Sequence, residues 1–289
     1  MKDEIPTVFG RVVEMNRATP GDPDTPARIT RAKVSTLYSG AAEDYEELWA
    51  PELLPLSRAL LPHLQLESAR HVLEAAAGVG SLLSDLRVQA PEATIIAADL
   101  SLGMIKRAPR DFPRAVSDAS ALAFRDDSFD VGILAFVLFH LFDPAKGIAE
   151  MARVLRPGGL VGTVTWGVEN DPPAFQVWAE ELDRHGAPPQ DRDLTRHEEV
   201  DTPEKVEALM ATHGIRPVRS WLGEYRKPAT PDEFIAHRTR HGQGRLRLLG
   251  MPADVRVRCL EKARRRLEHL TPGDFEEIAE VVYVVGQNT

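Results

Sequence analysis

Short apolar runs alternate, through the middle of the chain, with stretches whose apolar residues recur at every third or fourth position. The runs predict strands near 70–74, 93–98, 113–117, 130–136 and 159–166, and the periodic stretches predict helices near 79–89, 101–109 and 143–155. A strand covered on both faces reads as a continuous apolar run, so this alternation predicts a parallel sheet with helices on either side. Upstream, Gly40 to His63 holds two helical stretches carrying Tyr45, Leu48, Trp49, Leu53, Leu54, Leu60 and Leu61. Residues 1–34 are expected to be irregular, because turn formers crowd the segment "ATPGDPDTPA". The rhythm changes after Trp166. A short helix between proline-rich loops comes first, then a helix near 203–212 stopped by Gly214 and a strand near 215–223. Helices near 231–239 and 252–269 and a last strand in "EIAEVVYVVGQ" complete the expected elements.

The end of the first strand carries the chemistry. Glu74 stands at its tip, followed by the small-residue turn Ala75-Ala76-Ala77-Gly78-Val79-Gly80-Ser81 and a helix expected to start near Val79. Asp99 closes the second strand. Small turn residues let a ligand approach the main chain, and a helix N-terminus favours a negative group. A carboxylate at the tip of the neighbouring strand can accept hydrogen bonds from both hydroxyls of a ribose. Carboxylates at the ends of apolar strands are costly to desolvate without a partner. Together these features point to a nucleoside-containing ligand at the carboxyl edge of the sheet. A dinucleotide fingerprint requires a third small residue three positions beyond Gly80, where this chain has Leu83.

The spacing Glu74-x-Ala76-x-Gly78-x-Gly80 instead resembles the turn of the class I S-adenosylmethionine-dependent methyltransferases of the small-molecule type. The likeness continues through "IIAADLSLGMIKRA", "SDASALAFRDDSFDVGILAFVLFHL" and "EMARVLRPGGLVGTVTW", covering about residues 35–166. It implies an α/β, Rossmann-like, seven-stranded and mostly parallel sheet whose last strand is antiparallel, with N-terminal helices and a helical lid. Residues 35–289 would then form the methyltransferase domain, with insertions at 167–200 and 224–275 forming the substrate side. The implied cofactor is S-adenosyl-L-methionine. By the same resemblance Asp99 holds the ribose hydroxyls, Glu74 lies near the cofactor's ammonium, and Leu100 and Met104 pack on the adenine. Asp118 would accept the adenine amino group and the Ala119 N–H would meet a ring nitrogen. The backbone of Ala75, Ala76, Gly78, Gly80, Ala135 and Phe136 would frame the methionyl part, and Tyr45 would reach the carboxylate or sulfonium face. Ala76 departs from the family, which has glycine there; its methyl group is expected to crowd the methionyl end.

His140, in "VLFHL", is the candidate catalytic base, set against a plain packing role. Tyr38 precedes the first strand as a lesser partner to Tyr45. Trp166, Trp178, His237 and His241 are candidate acceptor contacts, with core packing as the competing reading for the tryptophans. The basic stretch "HRTRHGQGRLR" suits an anionic substrate group if it is more than a solvated face. The N-methylating signature is absent from the fourth strand, which continues Ala135-Phe136-Val137-Leu138.

Composition narrows the partners. A net charge of −9 argues against nucleic acid, since phosphate binding relies on a basic surface. The single cysteine, Cys259, permits no internal disulfide, and no Cys/His cluster has metal spacing, so no metal is expected. No apolar run is long enough to span a membrane, and the amino terminus lacks a signal-peptide core, which predicts a cytoplasmic protein. The expected activity is methyl transfer to a small molecule, at oxygen by preference over nitrogen or carbon. A cofactor-binding protein without methyl transfer, motivated by Ala76, and a nicotinamide-dependent oxidoreductase, disfavoured by Leu83, are the alternatives.

Overall fold

The computed structural model describes residues 12–14 and 26–289. The segment 1–34, expected to be irregular, carries a three-residue strand β1 (Val12–Glu14), and helix α1 already begins at Pro26 and runs to Ser39. The rest of the segment lies outside the described residues. Helices α2 (Ala42–Leu48) and α3 (Ala50–Arg58) follow. The alternating core then reads β2 (His71–Ala75), α4 (Leu83–Gln89), β3 (Thr94–Asp99), α5 (Leu102–Ile105), β4 (Arg114–Val116), β5 (Phe129–Ala135), α6 (Pro144–Val154) and β6 (Leu155–Asn170). Beyond it come α7 (Pro173–Arg184), α8 (Pro203–Thr212), β7 (Ile215–Lys227), α9 (Pro231–Arg240), α10 (Gly242–Leu249), α11 (Ala253–Leu267) and β8 (Glu277–Asn288).

The strands form one sheet in the order β1-β4-β3-β2-β5-β6-β8-β7. The pairings from β1 across to β6 are parallel, and β8 enters antiparallel between β6 and β7. Apart from β1 this is the expected seven-stranded arrangement. Strands β3 and β4 lie on one side of β2, and β5 and β6 on the other. The chain therefore reverses its direction of travel between β2 and β5, and a crevice opens at the carboxyl ends there. Local signals set the boundaries. Asp143 caps α6 through the Ala145 N–H ahead of Pro144, and Thr230 and Glu233 form a capping box at α9.

Helix α4 starts at Leu83 rather than near Val79. Gly78 (φ +58°) and Gly80 (φ +76°) have left-handed backbone, which interrupts a right-handed helix, so residues 77–82 make turns instead. Strand β6 begins earlier than expected, at Leu155, with a register irregularity against β5 that spans Pro157-Gly158-Gly159. Helix α10 was not apparent in the sequence.

The chain divides into two compact units. The first comprises residues 1–167, 193–222 and 282–289 and contains most of the sheet; the second comprises 168–192 and 223–281. The second unit has its own apolar core, in which Trp178, Leu182, Phe234, Leu248, Cys259, Leu267 and Phe275 are buried. Among the described residues no helix is long and apolar enough to cross a membrane.

Candidate active site

In the first unit, a cavity of about 310 Å³ opens over the carboxyl ends of β2, β3, β4 and β5. The strand ends and the segments that follow them supply Ala76, Gly78, Asp99, Leu100, Met104, Asp118, Ala119, Ala135, Phe136 and His140 to its wall. Helix α1 supplies Ala27, Thr30, Arg31, Val34, Ser35 and Tyr38, a single face at helical spacing, and α2 supplies Tyr45. A smaller adjoining cavity is lined by Glu74, Ala77 and Ser81 and shares Tyr45, Ala76, Ala135 and Phe136 with the first.

The turn after β2 folds onto the end of β3. The Ala77 N–H donates to the Ala98 carbonyl (2.9 Å), and the Gly78 N–H donates to Asp99 Oδ2 (2.8 Å). The Ser101 N–H donates to Asp99 Oδ1 (2.7 Å), so the carboxylate is fixed by main-chain donors on both oxygens. Burial nevertheless pushes Asp99 up to about 6, with the two N–H groups working in the opposite direction. Glu74 is 4% exposed and its Oε2 has no hydrogen-bond partner. Burial first, and the neighbouring Asp99 second, push its carboxyl up to about 8. Ala76 sits at φ +61°, the left-handed region that costs a residue with a β-carbon. Phe136 is also left-handed (φ +51°), turning the chain out of β5 into the cavity wall with its ring on Trp166 (centroids 4.8 Å apart).

Two expected cofactor residues do not line either cavity. Ala75 is fully buried in β2, and Gly80 faces Leu83, Ala108 and Pro109, where a β-carbon would approach within 3.0 Å. Asp118 lines the cavity, but its carboxylate already holds Arg31 of α1 (2.9 Å) and the N–H and hydroxyl of Ser120 (2.9 and 2.8 Å). Trp166 packs on Phe136 outside the wall. Trp178 is 2% exposed in the core of the second unit, so its indole packs that unit rather than facing a ligand. His237 and His241 also belong to the second unit; both are buried, and Lys227 Nζ donates to His237 Nε2 (2.7 Å).

His140 is held from both sides. Its Nδ1 lies 2.9 Å from the Leu194 carbonyl and its Nε2 lies 2.7 Å from the Tyr38 hydroxyl. A carbonyl oxygen only accepts, so the neutral ring carries its proton on Nδ1 and Nε2 accepts from Tyr38. Burial, with Tyr45 and Asp99 nearby, raises Tyr38 well above the usual phenol range, and burial with Asp99 and Glu74 does the same to Tyr45. Both phenols stay protonated. The Tyr38–Tyr45 and Tyr38–His140 ring pairs are edge-to-face (5.9 and 5.3 Å). Tyr38 and the rest of the α1 face were under-read in the sequence, because polar and charged residues on that face hide its helical period.

The expected cofactor fits this wall. An orphaned, buried carboxylate oxygen on Glu74 awaits a donor, Asp99 is held at the tip of β3, and a β-carbon on Gly78 would crowd Met104 and Tyr45. Residues 73–162 match the family described as "Methyltransferase domain". Over that stretch the chain is similar to S-adenosylmethionine-dependent methyltransferases. A demethylmenaquinone methyltransferase of Mycolicibacterium vanbaalenii is 36% identical over 134 residues, 44% of this chain and 57% of that one. One from a Mycobacterium species is 43% identical over 89 residues, 30% of this chain and 38% of that one. The chain thus matches about half or less of the length of these relatives. A phosphoethanolamine N-methyltransferase of Haemonchus contortus, solved with phosphomonomethylethanolamine and S-adenosylhomocysteine, shares the fold at a TM-score of 0.54. That match has 16% identity and covers 90% of this chain and 60% of that one. The YcgJ protein of Bacillus subtilis shares the fold at a TM-score of 0.50 and 19% identity, over 82% of this chain and 97% of that one. Asp99, Met104, Tyr38 and His140 line the larger cavity, and Glu74 lines the smaller one beside it.

Proposed function

We propose that the protein transfers a methyl group from S-adenosylmethionine to a hydroxyl of a small-molecule acceptor. The observation that carries this reading is the Tyr38–His140 pair, 2.7 Å apart at the cavity wall with the imidazole anchored behind it. When bound, S-adenosylmethionine supplies a methyl group on a sulfonium sulfur that a nucleophile can take without further activation. The protein's task is then to align the acceptor and receive its proton. An acceptor hydroxyl donates to Tyr38 Oη as the Tyr38 proton passes to His140 Nε2. The imidazolium that results keeps its Nδ1–H on the Leu194 carbonyl, and no tyrosinate forms, consistent with a phenol that burial keeps neutral. Asp99 would hold the ribose, and Glu74, with Tyr45 beside it, would face the ammonium.

Val34, Val137, Leu141 and Phe142 form an apolar stretch of the wall, beside the charged Arg28, Asp143 and Lys146, which suits a phenol or enol. The same proton acceptor would serve a ring that is methylated at carbon after its hydroxyl ionises. Demethylmenaquinone, the compound in the relatives' name, is therefore the second candidate acceptor. The second unit, with His237 and His241, is the proposed source of acceptor selectivity.

The test is turnover of S-adenosylmethionine to S-adenosylhomocysteine with a panel of phenols, enols, amines and demethylmenaquinone, and the site of methylation read by NMR. Methylation at oxygen, with His140→Ala losing ~10²-fold or more in kcat at unchanged cofactor affinity, is the expected result. Full activity in His140→Ala would remove the base, and turnover confined to amines would remove the hydroxyl acceptor.

A further inference from the structure

We propose that residues 193–197 form a clamp that sets the tautomer and direction of His140, with Leu194 as its positioning residue. The inference rests on the reading of His140 as proton acceptor, but its own observations are independent of the reaction. In the sequence this stretch belongs with an insertion, whereas the structure puts it in the first unit, against the short turn of helix that carries His140.

The attachment is reciprocal. His140 Nδ1–H donates to the Leu194 carbonyl (2.9 Å), and two residues on the Arg196 N–H donates to the Phe139 carbonyl (2.7 Å). Ring contacts reinforce it. His197 stacks on Phe139 (centroids 4.4 Å apart, planes 17° apart), and the Arg196 guanidinium lies over Phe142 (4.6 Å). The Leu194 side chain is buried, which fixes where its carbonyl points, and Asp193 reaches Lys33 of α1 (3.5 Å). The clamp thus touches both elements that bear the pair: the turn with His140 and the helix with Tyr38.

The consequence is chemical. In water a neutral imidazole favours its proton on Nε2, which would turn an N–H toward Tyr38 and leave no lone pair there. The Leu194 carbonyl demands a donor, holds the proton on Nδ1, and so makes Nε2 the accepting nitrogen. Without that carbonyl the ring would revert and its Nε2 could not receive the Tyr38 proton.

Histidine-selective ¹⁵N NMR on the full chain reads this directly, with His140 assigned by comparison with His140→Ala. The wild type should show the Nδ1–H pattern for neutral His140. Leu194→Gly, which frees the carbonyl, should move the pattern toward Nε2–H, and Leu194→Ile should restore it. With the acceptor that supports turnover, Leu194→Gly should lose ~10-fold or more in kcat with little change in KM. An Nε2–H pattern in the wild type would overturn the proposal, as would an unchanged Nδ1–H pattern in a folded Leu194→Gly. Should Leu194→Gly not fold, the double variant Arg196→Ala/His197→Ala removes the ring contacts and is read the same way. Full turnover in His140→Ala would sink the base while leaving the tautomer result standing, so the two ideas fail separately.

Discussion

At the scale of single residues, the turn after β2 trades backbone comfort for position. Ala76 holds φ +61° with a β-carbon, a conformation that glycine adopts freely. Ala76→Gly should therefore stabilise the fold by ~1 kcal/mol and bind S-adenosylmethionine at least as tightly. Urea unfolding and calorimetry check both; a destabilised variant would show that the left-handed turn is not strained. Glu74 gives a pH signature. The folded chain keeps its proton up to about pH 8, whereas the unfolded chain releases it near 4.5. Its contribution to stability is complete below 4.5 and is lost as pH rises toward 8, at roughly 1.4 kcal/mol per pH unit across that window. Glu74→Gln should flatten that slope in unfolding curves taken without cofactor, and should weaken S-adenosylmethionine binding above pH 8. Asp99→Ala should cost ~1–3 kcal/mol of cofactor affinity, because charge-assisted acceptors are lost. It also strands the Gly78 and Ser101 N–H groups, so a lower melting temperature should accompany the loss.

At the scale of elements, α1 lies across the cavity on polar contacts. Arg31 meets Asp118, the Ser39 and Ser101 hydroxyls are 2.7 Å apart, and Tyr38 meets His140. Arg31 is 42% exposed, and an ion pair so open to water contributes little to stability. If Asp118 takes the adenine amino group, as the resemblance implies, Arg31 would compete with it for that carboxylate. Arg31→Ala should leave the melting temperature within about 2 °C, since exposed pairs give ~0–1 kcal/mol, and should bind S-adenosylmethionine as tightly or tighter. Calorimetry showing weaker binding would mean that Arg31 contributes to the site itself rather than competing for Asp118.

At the scale of the whole molecule, the second unit has a separate core, and the wall of the larger cavity is built wholly from the first. Trp178 tests that separation. Truncating a tryptophan buried in such a core costs ~3–5 kcal/mol, so Trp178→Ala should open the second unit to limited proteolysis. Cofactor affinity should stay within a few fold, while acceptor turnover falls if this unit selects the acceptor. The Trp178 indole N–H is buried without a hydrogen-bond partner, so Trp178→Phe should be much milder. Loss of cofactor binding in a folded Trp178→Ala would contradict the independence of the two units.

The parallel core and the carboxylates Glu74 and Asp99 were legible in the sequence because their signals are local. Apolar runs, punctuating glycines and strand-tip acids each act through neighbours a few residues away. The helical face of α1 was hidden: it mixes Ala27 and Val34 with Thr30, Arg31, Ser35 and Tyr38, so it shows no apolar period. The late start of α4 and the strain at Ala76 depend on backbone angles that composition alone does not reveal. Trp178 left a pocket role and a core role open in the sequence, and its burial with Phe234 and Phe275 gives it the core role. The pairing of Tyr38 with His140, and of His140 with the Leu194 carbonyl, spans 102 and 54 residues of chain. No local pattern records such distances. The sequence determined which sheet would form and where its acids would stand. Only tertiary packing decided which nitrogen of His140 faces Tyr38, because a main-chain carbonyl brought from far along the chain makes that choice.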